Sequence, residues 1–179
     1  FGMSLGGYLV LRAAAFENRV KRVIVDGILL DFYEEVFRQL PAVDKARLDQ
    51  LLLDRDEATV NTLLTEASRN SMIFEWMLSQ GMHVMGCATP YAFAQKVRLC
   101  TTKEIAGQVQ QDVILLAGQK DHYLPISHFF EQGSLLTNVQ SLTMRMFTHQ
   151  ESGQNHCQIG NIGLGLRVML DWMEQCSDK

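Results

Sequence analysis

Three short apolar runs stand out from a pattern of hydrophobic positions that is otherwise helical. They are Val20–Asp26 (VKRVIVD), Asp112–Gly118 (DVILLAG) and Ser141–Thr148 (SLTMRMFT). The first two are rich in Val, Ile and Leu and end in Asp or Gly, as strands buried on both faces of a parallel sheet do. The third reads as a buried parallel strand as well. Helical segments lie between and after them. Gly7–Phe16 (GYLVLRAAAF) precedes the first strand, and Pro125–Leu136 opens with a proline, which a first helical turn tolerates. Asn161–Cys176 places Ile162, Leu166, Met169, Leu170 and Met173 on one face. This alternation predicts an α/β sheet with helical crossovers.

Between the first two strands runs a long insert, about Gly27 to Gln111, with helical signals and no convincing strand. Val43–Leu53 and Glu57–Ser68 are amphipathic. Ser71–Gln80 (SMIFEWMLSQ) reads as a third helix ending at Gly81. Thr89-Pro90, a capping residue followed by a first-turn proline, opens a fourth. That is too much chain for an ordinary loop. The expected organisation is an α/β core from residues 1–27 and 112–179, with residues 28–111 inserted as a helical cap.

Composition narrows the class. The chain has 179 residues, which suits one domain, and its net charge of −4 argues against nucleic-acid binding or a polybasic membrane contact. Hydrophobic residues make up 47%, too many for a disordered chain. No apolar run reaches the roughly 18 residues of a transmembrane helix. Cys87, Cys100, Cys157 and Cys176 form no CxxC pair and no disulfide framework, so free thiols in a cytoplasmic protein are the simplest account. The chain starts at Phe1 with a motif close behind, and reads as a piece whose upstream part is missing.

That motif is Gly2-Met3-Ser4-Leu5-Gly6, a match to G-x-S-x-G. A chance match in a chain of this length is expected roughly 0.04 times, so its context matters. The chemistry explains the pattern. Ser4 would sit on a tight turn between strand and helix, with glycines two residues either side relieving collisions. The helix that follows favours developing negative charge at its N-terminus. The Leu5 amide would donate to an oxyanion there. Read otherwise, the pentapeptide is a glycine-rich turn with Ser4 as helix cap.

Two further elements follow in order. Gly118-Gln119-Lys120-Asp121 lies just past the strand Asp112–Gly118, where a carboxylate can hold a histidine in one tautomer. Asp26, at the end of the preceding strand, is the rival acid, and Asp121 as a simple turn cap is the bland alternative. After the last strand come His149 and His156, and either could reach Ser4. His122 reads as a loop or surface residue. His83 and His128 have no partner at ligand spacing, so no metal site is expected. Cys157 reads as a small buried residue. Met72, Phe74, Trp76, Met77, Met82 and Met85 read mostly as core of the insert.

On the stretches GMSLGGYLVLRAAAF, DVILLAGQKDHYLPIS and FTHQESGQNHCQIGN the chain resembles the α/β-hydrolase superfamily. Within it, the chain is similar to capped bacterial enzymes of the fermentation–respiration-switch esterase and pseudooxynicotine-hydrolase kinds. The resemblance implies Ser4 as nucleophile, Asp121 as acid and His156 as base. It also implies a cap closing over the substrate, and often a homodimer. Such enzymes carry several strands and an early oxyanion loop before the elbow, so this chain corresponds to the C-terminal portion. Reach supports His156: it lies seven residues beyond His149, in a polar loop able to arch over the sheet edge.

The reading that results is a serine hydrolase acting on an ester, amide or activated C–C bond of a small organic substrate, with no cofactor. Its rivals are an α/β-hydrolase-fold binding or regulatory module with an idle triad, and part of a prolyl-oligopeptidase-like peptidase. The strand near Val20–Asp26 is expected to leave a sheet edge exposed, so the chain alone should be poorly stable.

Overall fold

A computed structural model of the protein describes residues 1–38, 40 and 42–177. The chain divides into two compact units. One comprises Phe1–Leu30 with Thr101–Lys179, the other Asp31–Cys100.

The first unit is built on a parallel sheet. Among the described residues its strands are β1 (Gly2–Met3), β2 (Arg22–Asp26), β3 (Asp112–Gly118) and β4 (Ser141–Phe147), in that spatial order. Register runs Met3↔Asp26 and Asp26↔Leu116, and Gly118 pairs with Phe147. Strand alternation sorts the sheet side chains onto two faces. Val23, Val25, Val113 and Leu115 share a core with Leu11 and Ala14 of α1 (Leu5–Phe16) and with Phe129 of α7 (Ile126–Leu135). Ile24, Ile114 and Leu116 share the other core with Met169, Trp172 and Cys176 of α8 (Ile162–Ser177).

Some expectations for these elements change. β4 is not a buried strand but an edge, with Leu142 and Met144 exposed and Trp172 Nε1 donating to Thr143 Oγ1 at 3.1 Å. α8 turns a different stripe to the sheet. Gly165, Met169, Trp172 and Cys176 are buried, whereas Ile162, Leu166, Leu170 and Met173 are exposed. Both stripes are apolar at helical spacing, so periodicity could not choose between them. Pro125 stands at the N-cap of α7 rather than in its first turn. The strand entering Ser4 is present as the two residues of β1, which pair only with Val25 and Asp26. Residues 101–111 belong with the sheet rather than the insert. Thr102 N–H donates to the Leu30 carbonyl at 2.9 Å, and Ala106 and Val109 enter the α1 and α7 core.

The elements of the second unit among the described residues are helices: α2 (Phe32–Phe37), α3 (Ala42–Asp54), α4 (Glu57–Arg69), α5 (Met72–Met85) and α6 (Pro90–Val97). Four of these helices start on side-chain caps, where Asp31, Asp56, Ser71 and Thr89 accept from amides three residues on. Its core is its own, built around Phe37, Leu48, Leu52, Val60, Leu64, Phe74 and Phe93. Phe74 is buried as expected, but Met72 and Trp76 are exposed, and Met77, Met82 and Met85 only flank the core. α2 escaped the sequence because six residues are too few for helical periodicity to register.

α5 runs through Gly81 and stops at Gly86, which adopts φ 62°. Gly81 is there for packing: a Cβ on it would lie 2.4 Å from the ring of Phe93, which is fully buried. Gly81→Ala should therefore destabilise by about 1–3 kcal/mol despite alanine's better helix propensity. A lower thermal midpoint for the variant is the expected result.

Candidate active site

Strand ends assemble the site. β1 stops at Met3, and Ser4 follows in a strained conformation, φ 55° and ψ −120°, that non-glycine residues seldom adopt. Its N–H donates to the Asp26 carbonyl at 2.7 Å, tying the turn to the end of β2. The Ser4 hydroxyl makes no capping bond to α1. It points instead to histidine, so the reading of Ser4 as a plain helix cap falls away. The glycine pattern has a partly different cause from the one expected. A Cβ on Gly2 would lie 1.9 Å from the Gly6 carbonyl oxygen, and one on Gly7 2.3 Å from that of Gly27. A Cβ on Gly6 itself would meet nothing within 4 Å. Leu5 opens α1, so its N–H is among the first helical donors that lack an intrahelical acceptor.

Asp121 sits in the turn after β3. Its Oδ1 accepts from the Tyr123 and Leu124 amides at 2.9 and 3.0 Å, which leaves Oδ2 for the His156 ring at 2.7 Å from Nδ1. Burial alone would raise this carboxyl. The bonds from His156, Leu124 and Tyr123 outweigh it and hold Asp121 below the ordinary carboxylate range. An ionised Asp121 only accepts, so Nδ1 of His156 carries the proton and Nε2 is bare. The Ser4 hydroxyl then donates to Nε2, at 2.9 Å.

The histidine arrives on a bent loop. His156–Gln158 is a single 3₁₀ turn in which Cys157 and Gln158 both have φ 49°. Gln154 and Asn155 cross directly over Gly118, and the Gln154 carbonyl accepts from Lys120 N–H at 2.8 Å. Tyr123 packs edge-on against the His156 ring, centroids 5.1 Å apart. His149 lies in the 3₁₀ turn His149–Glu151, which a capping box between Thr148 and Glu151 closes. Of the two histidines, the one bonded to both Ser4 and Asp121 is His156. Among the described residues no cluster of His, Cys, Asp and Glu could hold a metal ion.

Asp26, the rival acid, is not among the hydrogen-bond partners of the base. It is buried at the end of β2, and its Oδ1 has no hydrogen-bond partner. Burial pushes its carboxyl up to about 6, against the pull of Gln158 and His156 and with the charge of Asp121 adding to the rise. Cys157 is pushed up to about 12, chiefly by burial, so it is a neutral thiol. The sequence named Gly118 only as the start of the turn to Asp121, and flagged neither Tyr123 nor Gln158. Only the glycine after a strand was a usable signal for the first, and the other two carry none.

No family model and no curated protein sequence matches the chain. Solved structures do. The 2,6-dihydroxy-pseudo-oxynicotine hydrolase aligns over 96% of this chain and 37% of its own, at 20% identity and a TM-score of 0.56. The meta-cleavage product hydrolase CumD from Pseudomonas fluorescens IP01 aligns over 98% and 64%, at 17% identity and a TM-score of 0.53. A Pyrococcus furiosus esterase aligns over 99% and 50%, at 12% identity and a TM-score of 0.52. The chain thus carries the α/β-hydrolase fold and spans between 37% and 64% of the length of these three proteins.

Two measurements probe the geometry. A Cβ on Gly118 would lie 2.4 Å from both the Gln154 and Asn155 carbonyl oxygens. Gly118→Ala must push away the loop carrying His156, so the Ser4–His156 bond should lengthen in a crystal structure of the variant. The second uses pH. Asp26 has a folded value of about 6 above its ordinary 3.8, so the stability tied to its protonation is full below about pH 4 and lost as pH rises through about 6. Asn cannot ionise. Asp26→Asn should therefore be more stable than the parent at pH 8, by up to about 3 kcal/mol. Thermal melts should show this advantage vanishing toward pH 4.

Proposed function

We propose that this chain carries the chemistry of a serine hydrolase that cleaves an ester, amide or activated C–C bond in a small organic substrate. One observation carries the reading: Ser4 Oγ, His156 Nε2 and Nδ1, and Asp121 Oδ2 form an unbroken relay with links of 2.9 and 2.7 Å. The similar structures named above are hydrolases and an esterase by title, which supports the same class.

In this mechanism Ser4 Oγ attacks the substrate carbonyl carbon and its proton passes to Nε2 of His156. Charge on the former carbonyl oxygen is met by the Leu5 N–H at the start of α1. Asp121, ionised, steadies the imidazolium. The tetrahedral intermediate collapses with loss of the leaving group, which takes the proton from Nε2. A water then gives a proton to Nε2 and attacks the acyl-serine. The acid product departs and Ser4 recovers its proton. The strained backbone at Ser4 holds the hydroxyl clear of the helix cap geometry, so it is available to the base.

The helical unit Asp31–Cys100, inserted in the chain between β2 and β3, has in this reading the character of a cap domain. Free Cys87, Cys100, Cys157 and Cys176 support a reducing, cytoplasmic setting.

A fluorophosphonate probe tests the nucleophile. The protein should take up one probe at Ser4, and Ser4→Ala should abolish labelling. Asp121→Asn should slow turnover of an activated ester by about 10⁴-fold, the scale seen when a triad loses its tautomer-fixing acid. Undiminished labelling of the Ser4→Ala variant would show the nucleophile to lie elsewhere.

A further inference from the structure

His156 is carried on a loop, yet its ring must stay aimed through a reaction that breaks one of its two bonds. Nδ1 is tied to Asp121 Oδ2 at 2.7 Å and Nε2 to Ser4 Oγ at 2.9 Å. Both bonds meet the ring at its nitrogens, in its own plane, so they fix its reach better than its tilt. In the acyl-enzyme Ser4 Oγ is esterified and has no proton to donate. Asp121 is then the remaining member of the relay bonded to the ring, while Nε2 must activate a water. A misaimed base costs rate steeply.

Tyr123 supplies a contact that outlasts the Ser4 bond. Its half-buried ring stands at 76° to that of His156, with centroids 5.1 Å apart, the arrangement of a favourable edge-to-face pair. The turn that places the acid also places this ring. Tyr123 N–H donates to Asp121 Oδ1 at 2.9 Å, and the next residue, Leu124, donates to the same oxygen at 3.0 Å with its side chain buried. The His122 ring packs on that of Tyr123, centroids 4.1 Å apart, and stands farther from His156, at 6.3 Å. One short turn after β3 thus brings to a single imidazole both a carboxylate at Nδ1 and an aromatic ring against its flank.

We propose that Tyr123 is a positioning residue for the base: its ring holds the tilt of the His156 imidazole while the bond to Ser4 is broken and remade. The proposal rests on the serine-hydrolase reading for its purpose, whereas the contact belongs to the resting protein. Asp121 fixes the tautomer and anchors one end of the ring. Tyr123 fixes the orientation about that anchor.

Kinetics and crystallography test this separately. Tyr123→Leu, apolar but without a ring, should slow fluorophosphonate labelling of Ser4 by about tenfold, the scale of one edge-to-face contact. In turnover of an activated ester, kcat should fall by a similar factor with KM unchanged. Tyr123→Phe should recover the rate to within about twofold, because the ring and not the hydroxyl makes the contact. The crystallographic arm needs no activity. In Ser4→Ala, where Nε2 has lost its partner, His156 should keep one ring orientation against Tyr123. In Ser4→Ala/Tyr123→Leu the ring should occupy more than one. A disordered His156 ring in Ser4→Ala, which leaves Tyr123 intact, overturns the proposal. So does a single undisturbed ring in the double variant, or a Tyr123→Phe protein as slow as Tyr123→Leu. A raised KM with kcat unchanged in Tyr123→Leu overturns it too, since Tyr123 would then be a substrate contact. A parent protein that takes no label on Ser4 counts against the hydrolase reading, and the crystal structures still decide the Tyr123 assignment.

Discussion

Parallel register is the constraint on which everything else here depends. Because β1, β2 and β3 run the same way and end nearly level, their C-terminal ends form one edge, and each end presents a different polar side chain. β1 delivers Ser4, β2 delivers Asp26, and the turn after β3 delivers Asp121. The Ser4 N–H bond to Asp26 O locks the first two ends together. The fourth strand does something different: it ends at Phe147, and the loop beyond it folds back over Gly118 to bring His156 into the same place. The bonded arrangement of Ser4, His156 and Asp121 is the product of strand alignment plus one returning loop.

Much of this was legible in the residues. The strand Asp112–Gly118 has the same limits in structure as in sequence, because an unbroken apolar run between polar flanks leaves little choice. Thr89-Pro90 opened α6 as its capping chemistry required. Ser4, Asp121 and His156 were reachable because each follows a recognisable strand or motif. What failed to show were features that depend on a second surface. Met169 is buried as the spacing of α8 implied, but whether Leu166 or Trp172 joins it is decided by the sheet the helix meets, not by its own spacing. β4 reads like a core strand, yet Leu142 and Met144 lie on an edge. Gly81 looked like a stop signal, because the ring of Phe93 that demands it comes from another helix.

Several departures from comfortable geometry fall near the candidate site. Ser4, Cys157 and Gln158 have positive φ, and Asp26 Oδ1 and Gln158 Nε2 have no partner, so several of the departures among the described residues fall on the strand end, turn and loop that carry Ser4 and His156, although Arg55 and Ser152 also have positive φ. Other buried polar groups of the sheet unit are bonded through at least one atom. Thr102 Oγ1 and Gln132 are bonded at 2.5 Å, and the Gln111 amide donates to the Ala14 carbonyl at 3.0 Å. The sheet and its two helical layers are thus the reservoir of stability that lets the strained site persist.

The junction of the helical unit has a further consequence. The chain departs after Leu30 and returns at Thr101, where Leu30 and Thr102 are bonded at 2.9 Å, as are Phe32 and Cys100 at 2.9 Å. The two crossing points are stitched side by side like the ends of a closed hairpin. To the sheet, seventy residues of helix therefore present themselves as little more than a tight turn between neighbouring strands. The helices also keep a hydrophobic core of their own. Such a module can lengthen, shorten or be exchanged through descent without disturbing the register that aligns Ser4, Asp121 and His156.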